Sequence, residues 1–321
     1  MKKSTLIILV LTLCLSLRTG PVLAEETGYW KSMPPTPTPR TEASAAPLDG
    51  KIYIVGGFTP AGITNKLEAL DPRTGTWTER SPMPRPLHHT SIAAVGGKLY
   101  VIGGFTTGMW TPVGTTYEYD PAADSWMEKA HMPTARGAMA ATVIDGKIYV
   151  VGGAHKSMLR LVNTGANEVY DPAEDRWRRL KPIPTPRDHL AVAAHNGILY
   201  AIGGRVDVDY NENLDANEAY DPKTDAWTQR KPLPTARSGI AAQVLDGKIY
   251  VMGGESGKGT FKENEAYDPG KDGWEAKAPL LHSRHGLSSA LIGEQIHLLT
   301  GGPNPGGGGS SFHEIFSLKP F

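Results

Sequence analysis

Residues 136–153 read Arg136-Gly-Ala-Met-Ala-Ala-Thr-Val-Ile-Asp145-Gly146-Lys147-Ile-Tyr-Val-Val151-Gly152-Gly153. Small and apolar residues lead to Asp145-Gly146, a dipeptide suited to a type I′ hairpin turn, whose two central residues both take positive φ. The apolar run then resumes and stops at a glycine pair. This pattern predicts two antiparallel strands joined by a tight turn. After a variable loop, Asn167-Glu-Val-Tyr-Asp171-Pro172 reads as a third strand ended by proline. Trp177 opens a fourth. Four short strands in about 50 residues make one blade of a β-propeller.

The unit recurs along the chain. Glycine pairs begin at Gly56, Gly103, Gly152, Gly203, Gly253 and Gly301. Trp30, Trp77, Trp126, Trp177, Trp227 and Trp274 repeat at nearly the same interval. The hairpin turn returns as Asp49-Gly50, Gly96-Gly97, Asn196-Gly197 and Asp246-Gly247. The third-strand ending returns as Asp71-Pro72, Asp120-Pro121, Asp221-Pro222 and Asp268-Pro269. Independent markers sharing one period are the signature of a repeat architecture. The predicted fold is all-β, a six-bladed propeller over residues 25–321.

The ends of the repeat predict how the ring closes. Trp30 to Met33 matches a fourth strand with no partners before it. His313 to Leu318 matches a third strand with no fourth after it. The N-terminal strand is therefore expected to complete the last blade, leaving no open sheet edge. Each repeat Trp is expected to join neighbouring blades.

The glycine pair, the Tyr-Asp-Pro ending and the spaced Trp resemble the Kelch motif, and the resemblance runs from about residue 29 to the end. It implies four-stranded blades with the first strand innermost, so that the start of that strand borders the central channel. An Arg stands at that start in five blades: Arg40, Arg136, Arg187, Arg237 and Arg284. A ring of arginines there would focus positive potential on a carboxylate, sulfate or phosphate. In Kelch adaptor proteins, arginines at matching positions contact acidic peptides. The alternative is that each Arg pairs with a local Asp or Glu and ties the fold together. The third-strand Glu that recurs at Glu68, Glu168, Glu218, Glu265 and Glu314 reads as scaffold, since acid–base chemistry needs carboxylates in distinct environments.

Departures from the repeat are the better site candidates. Blade two has Leu87 in the Arg register, followed by His88 and His89, and Tyr117 in the Glu register. His189 shares the register of His89, and His285 follows Arg284. Trp110 is the one Trp outside the repeat and is a candidate stacking platform. Arg205 opens the blade-four loop, where Asp207, Asp209, Asn211, Asn213 and Asp215 alternate like part of a calcium loop. That loop lacks the central glycine and spaced terminal Glu of an EF-hand, so a solvated loop is expected. The expected ligand-binding set is Arg40, His89, Trp110, Arg136, Arg187, His189, Arg205, Arg237 and Arg284. No His-x-His or His-x-x-x-His spacing occurs, so no metal and no cofactor are expected.

Lys+Arg and Asp+Glu are balanced at 33 each. That balance gives no electrostatic footprint for nucleic acid. Lys2-Lys3, the apolar stretch Leu6 to Leu17 and Val22-Leu23-Ala24 read as a signal peptide over residues 1–24. The stretch is too short to span a bilayer, which takes about 20 apolar residues. Export to the periplasm or medium is expected. Cys14, the single cysteine, lies inside this segment, so a mature chain would hold no disulfide. That also argues against a galactose-oxidase-like copper enzyme, which needs a Tyr–Cys cross-link.

A monomeric binding or scaffolding module is expected, with a protein, peptide or anionic carbohydrate partner at the channel mouth. The alternative is a sugar mutarotase, because the secreted N-acetylneuraminate epimerases are Kelch proteins similar in size. For that reading the sequence points to no catalytic carboxylate.

Overall fold

The computed structural model of the chain describes residues 27–106 and 110–321. The signal-peptide reading falls outside them. Among the described residues are six four-stranded antiparallel sheets. Blade one contains Ser44–Leu48, Lys51–Val55, Leu67–Asp71 and Thr76–Arg80, hydrogen-bonded in that order. The innermost strands of blades two to six are Ser91–Val95, Ala140–Ile144, Ala191–His195, Ala241–Leu245 and Ser288–Ile292. Second strands such as Lys147–Val151 are buried at every position but the first. A strand covered on both faces by neighbouring blades reads as a continuous apolar run rather than an alternating one.

The last blade closes as the repeat predicted. Tyr29–Ser32 pairs with His313–Ser317, in the register Trp30↔Phe316. Both chain ends thus meet in one sheet. The repeat Trp residues join blades by a specific contact. The indole of Trp177 donates to the carbonyl of Ala130 at 2.8 Å, and that of Trp126 to Ser81 at 2.8 Å. Each carbonyl belongs to the end of the preceding blade. On its own blade each of these rings packs at a tilt on the third-strand Tyr, about 5 Å away between centroids (Tyr119–Trp126 4.9 Å, Tyr170–Trp177 5.1 Å).

The glycine pair works where the second strand meets the next blade. Gly56 and Gly57 have φ of +66° and +90°. A Cβ on Gly56 would lie 2.5 Å from the Leu87 carbonyl oxygen of blade two. Gly57 N–H donates to that same oxygen at 3.0 Å. Both the positive φ and the close backbone approach exclude a side chain there.

Candidate ligand-binding funnel

The five repeat arginines do not line the channel mouth. Each is fully buried. Each pairs within its own blade, Arg40 with Glu68, Arg136 with Glu168, Arg187 with Glu218, Arg237 with Glu265 and Arg284 with Glu314. Further guanidinium N–H groups bind backbone carbonyls of the same blade. Arg187, for example, donates to Gly203 at 2.7 Å and Ala201 at 2.9 Å. A guanidinium without exposed surface and with its donors turned into the blade is unavailable to a ligand, so the expected anion-binding ring is corrected to a structural one. In blade two Leu87 and Tyr117 take the two positions and join an apolar cluster instead.

The channel is shaped by the residue two places beyond each of these positions. Glu42, His89, Ala138, His189, Gly239 and Gly286 all have left-handed backbones, with φ between +52° and +64°. The N–H of each donates to the carbonyl of its counterpart one blade back. His89 reaches Glu42 at 3.1 Å, and Ala138, His189, Gly239 and Gly286 follow at 2.9 Å each. Glu42 N–H to Gly286 O, also 2.9 Å, closes the circle across the seam between first and last blades. This circle of backbone bonds pinches the axis. Glycine takes a left-handed conformation without penalty, whereas a residue with a Cβ is strained there. Glu42, His89 and His189 place polar side chains at a position where glycine is the least strained residue.

Above the neck opens a cavity of about 770 Å³, walled by Phe58, Trp110, Val208, Tyr210 and the Gly306–Gly309 run, with Glu42, His89, His189, Arg205, Glu255 and His285 at its base. On the far side of the neck the channel is walled by side chains such as Ile92, Val143, Val192 and Leu291, with Thr142 and Gln243 among them. The carboxylates, imidazoles and guanidinium therefore face the other mouth.

Arg205 organises the base. It directly follows a glycine pair, and Glu255 holds the same register one blade on. Arg205 Nε donates to Asp188 Oδ1 at 2.9 Å, and Nη1 to Glu255 Oε1 at 3.0 Å. Nη2 lies 3.2 Å from His189 Nε2. His189 Nδ1 meets Asp188 Oδ1. Asp188 can only accept and Arg205 can only donate, so His189 carries its hydrogen on Nδ1 and presents a bare Nε2. Burial would push the Asp188 carboxyl up, but His189 and Arg205 outweigh it and hold it below the ordinary carboxylate range.

His285 Nε2 stands 3.6 Å from both Glu42 Oε1 and Glu255 Oε2. His89 Nε2 stands 3.4 Å from Glu42 Oε2, and its Nδ1 lies 2.5 Å from His88 Nδ1. Burial, reinforced by His189 and His88, pushes His89 well below the usual imidazole range, and burial lowers His88 to about 4. Trp110 packs on His89 at 5.0 Å and Phe105 at 5.5 Å between centroids, and on Phe58 at 6.0 Å.

Of the predicted site residues, His89, Trp110, His189 and Arg205 converge on this cavity. Glu42, Asp188, Glu255 and Tyr210 were not anticipated. The signal available for Glu42 was its register, two places past the Arg, where the six blades carry four residue types, Glu, His, Ala and Gly. The blade-four loop is a solvated turn at Asp209, whose Oδ1 accepts from Asn211 N–H at 2.9 Å and Nδ2 at 2.8 Å.

The molecule is thus a six-bladed, Kelch-type β-propeller with a funnel floored by a backbone ring. Residues 22–153 and 78–254 match the KLHDC2/KLHL20/DRC7 Kelch-repeats domain, and residues 236–281 match the Kelch motif. The chain belongs to this Kelch-repeat family. The solved structure of YjhT is similar over 88% of this chain and 95% of that one, with a TM-score of 0.76 and 19% identity. This likeness is one of fold.

Proposed function

We propose that this chain is an exported binding module that takes a hydroxyl-rich, carbohydrate-class ligand into the funnel. The observation that carries the reading is the juxtaposition of the Glu42 carboxylate and the imidazoles of His189 and His285 with an aromatic wall of Phe58, Trp110 and Tyr210 in one cavity. Aromatic faces take the C–H face of a sugar ring, while a few placed polar groups fix its hydroxyls. The cavity volume is within the range of small-molecule sites. Arg205 is already held by Asp188 and Glu255, while the Glu42 carboxylate faces the same cavity, which favours a neutral saccharide over an anionic one. Export rests on the basic and apolar pattern of residues 2–24.

A panel of neutral and acidic mono- and disaccharides, screened by saturation-transfer NMR and titration calorimetry, tests this. Neutral sugars should bind, and Trp110→Ala and Glu42→Gln should each weaken binding at least about tenfold, near 1.4 kcal/mol. A folded protein that binds none of them, or variants with unchanged affinity, would overturn the reading. A second reading, anomer exchange of the bound sugar, is favoured by the two imidazole–carboxylate pairs, His89–Glu42 at 3.4 Å and His285–Glu255 at 3.6 Å, which one water or sugar hydroxyl could bridge. NMR of anomer exchange in the same samples decides it, and a rate equal to that in buffer rejects it.

A further inference from the structure

At the neck, three ligand-type side chains from three different blades meet. Glu42, His89 and His189 offer one carboxylate oxygen and two imidazole nitrogens, all within 4.8 Å of one another. We propose that these three residues bind a divalent transition metal of the zinc class, with an open coordination position facing the cavity.

Four observations carry this. The first is donor chemistry. Two imidazoles and a carboxylate suit zinc and its neighbours, and three protein ligands leave room for water or a ligand oxygen.

The second is geometry. A metal about 2.1 Å from each donor draws them to roughly 3.4 Å apart in a tetrahedral site. The His89–Glu42 separation of 3.4 Å already matches. The longest separation, within 4.8 Å, has to close by up to about 1.4 Å on binding.

The third is support behind the ligands. Asp188 takes the Nδ1 hydrogen of His189 and leaves Nε2 bare. This is the carboxylate–histidine arrangement found behind metal-bound imidazoles. His88 Nδ1 stands behind His89 Nδ1 at 2.5 Å in the same way.

The fourth is charge. Arg205, with a side chain 6% exposed, is bonded to Asp188 and Glu255, at 0% and 2%. Among the described residues no guanidinium bond reaches Glu42, at 12%, and a divalent cation at the neck would meet that carboxylate. His189 Nε2 would exchange its 3.2 Å contact with Arg205 for the metal. Arg205 keeps Asp188 and Glu255.

The full-length chain, stripped with chelator and desalted, is titrated at pH 7.5 with Zn²⁺ by calorimetry and with Co²⁺ by visible absorption. One equivalent should bind, with Co²⁺ bands stronger than those of the aquo ion and a raised melting temperature in Zn²⁺. His89→Ala and His189→Ala should each weaken binding at least about 100-fold, and Asp188→Asn about 10- to 100-fold. Thr59→Ala, at the rim, should leave it unchanged. Circular dichroism and melting of the metal-free variants separate loss of ligand from loss of fold. An aquo-type Co²⁺ spectrum with the intact chain overturns the proposal even if no variant folds. Folded His89→Ala and His189→Ala variants that retain affinity overturn it too. Saccharide binding without metal binding leaves the funnel reading standing and removes this one.

Discussion

A buried guanidinium is tolerated because its charge and its donors are matched on the spot. Arg237 is held by Glu265, by the Val251 carbonyl at 2.9 Å and by the Thr235 carbonyl at 2.9 Å. Breaking such a pair leaves an uncompensated charge and typically costs about 3–5 kcal/mol, whereas replacing both members with packed apolar groups is often nearly neutral. Blade two contains the replacement already, Leu87 with Tyr117. Arg237→Leu alone should therefore lower the denaturation midpoint by an amount equivalent to about 3–5 kcal/mol. Arg237→Leu combined with Glu265→Tyr should recover more than half of that loss. Equilibrium unfolding in urea measures both, and a double variant no more stable than the single one refutes the pairing argument. The pairing was legible in the sequence, because Arg and Glu are present in the same five blades and are absent together from blade two. The direction of the Arg side chains was not. A residue at a strand start is placed near the mouth by topology, but whether it faces the axis or its own blade depends on backbone angles that Arg does not advertise. The left-handed neck was hidden for the same reason, since Glu42, His89, Ala138 and His189 are not residues that mark positive φ.

At the scale of the strand, blade six holds an unusual pair between its second and third strands. His297, on Gln295–Leu299, lies with Nδ1 3.0 Å from Nε2 of His313, on His313–Ser317. The rings stack at 5.2 Å between centroids. Burial lowers both to about 4, helped at His297 by His313; at His313, Arg284 lowers it further, while Glu314 and a backbone hydrogen bond oppose. The unfolded chain takes up these protons near pH 6.5. The folded chain resists until about pH 4, so the unfolded state binds more protons in between and stability falls as pH drops through that window. His88 acts in the same direction. A tenfold weaker hold on a proton is worth about 1.4 kcal/mol per imidazole, before coupling between neighbours reduces it. Scanning calorimetry should give a melting temperature that is flat from pH 8 to 7 and falls steeply below 6.5. His297→Gln should make that fall shallower. A melting temperature constant from pH 7 to 5 would contradict the assignment.

The whole ring was the most legible feature, because its strand count and period agree at every blade and its turn chemistry at five of them. The site was least legible, because its groups come from blades one, two, four, five and six. No local spacing relates Glu42 to His189. Only closure of the ring makes them neighbours, and closure depends on one short strand. Tyr29–Ser32 supplies the outer edge of blade six. Trp30 Nε1 also donates to the Ala278 carbonyl at 2.7 Å, and Ala278 N–H to Thr27 O at 2.8 Å, so the same segment fastens blade six to blade five. The seam it secures carries the Glu42–Gly286 bond of the neck. Removing residues through Ser32 should leave His313–Ser317 as an open edge with Ile315 and Phe316 beside it. Unpaired apolar edges recruit other chains. The shortened chain should melt lower than the intact one and should self-associate, measured by light scattering after gel filtration. A six-residue peptide, Thr-Gly-Tyr-Trp-Lys-Ser, added in excess should reverse both effects by restoring the strand. The same peptide with Ala for Trp should restore less, because it lacks the bond to Ala278 and the packing on Phe316, 5.1 Å away between ring centroids. A shortened chain with unchanged melting and elution would mean that the ring holds without its clasp, and that the inner-strand contacts around the axis carry closure by themselves.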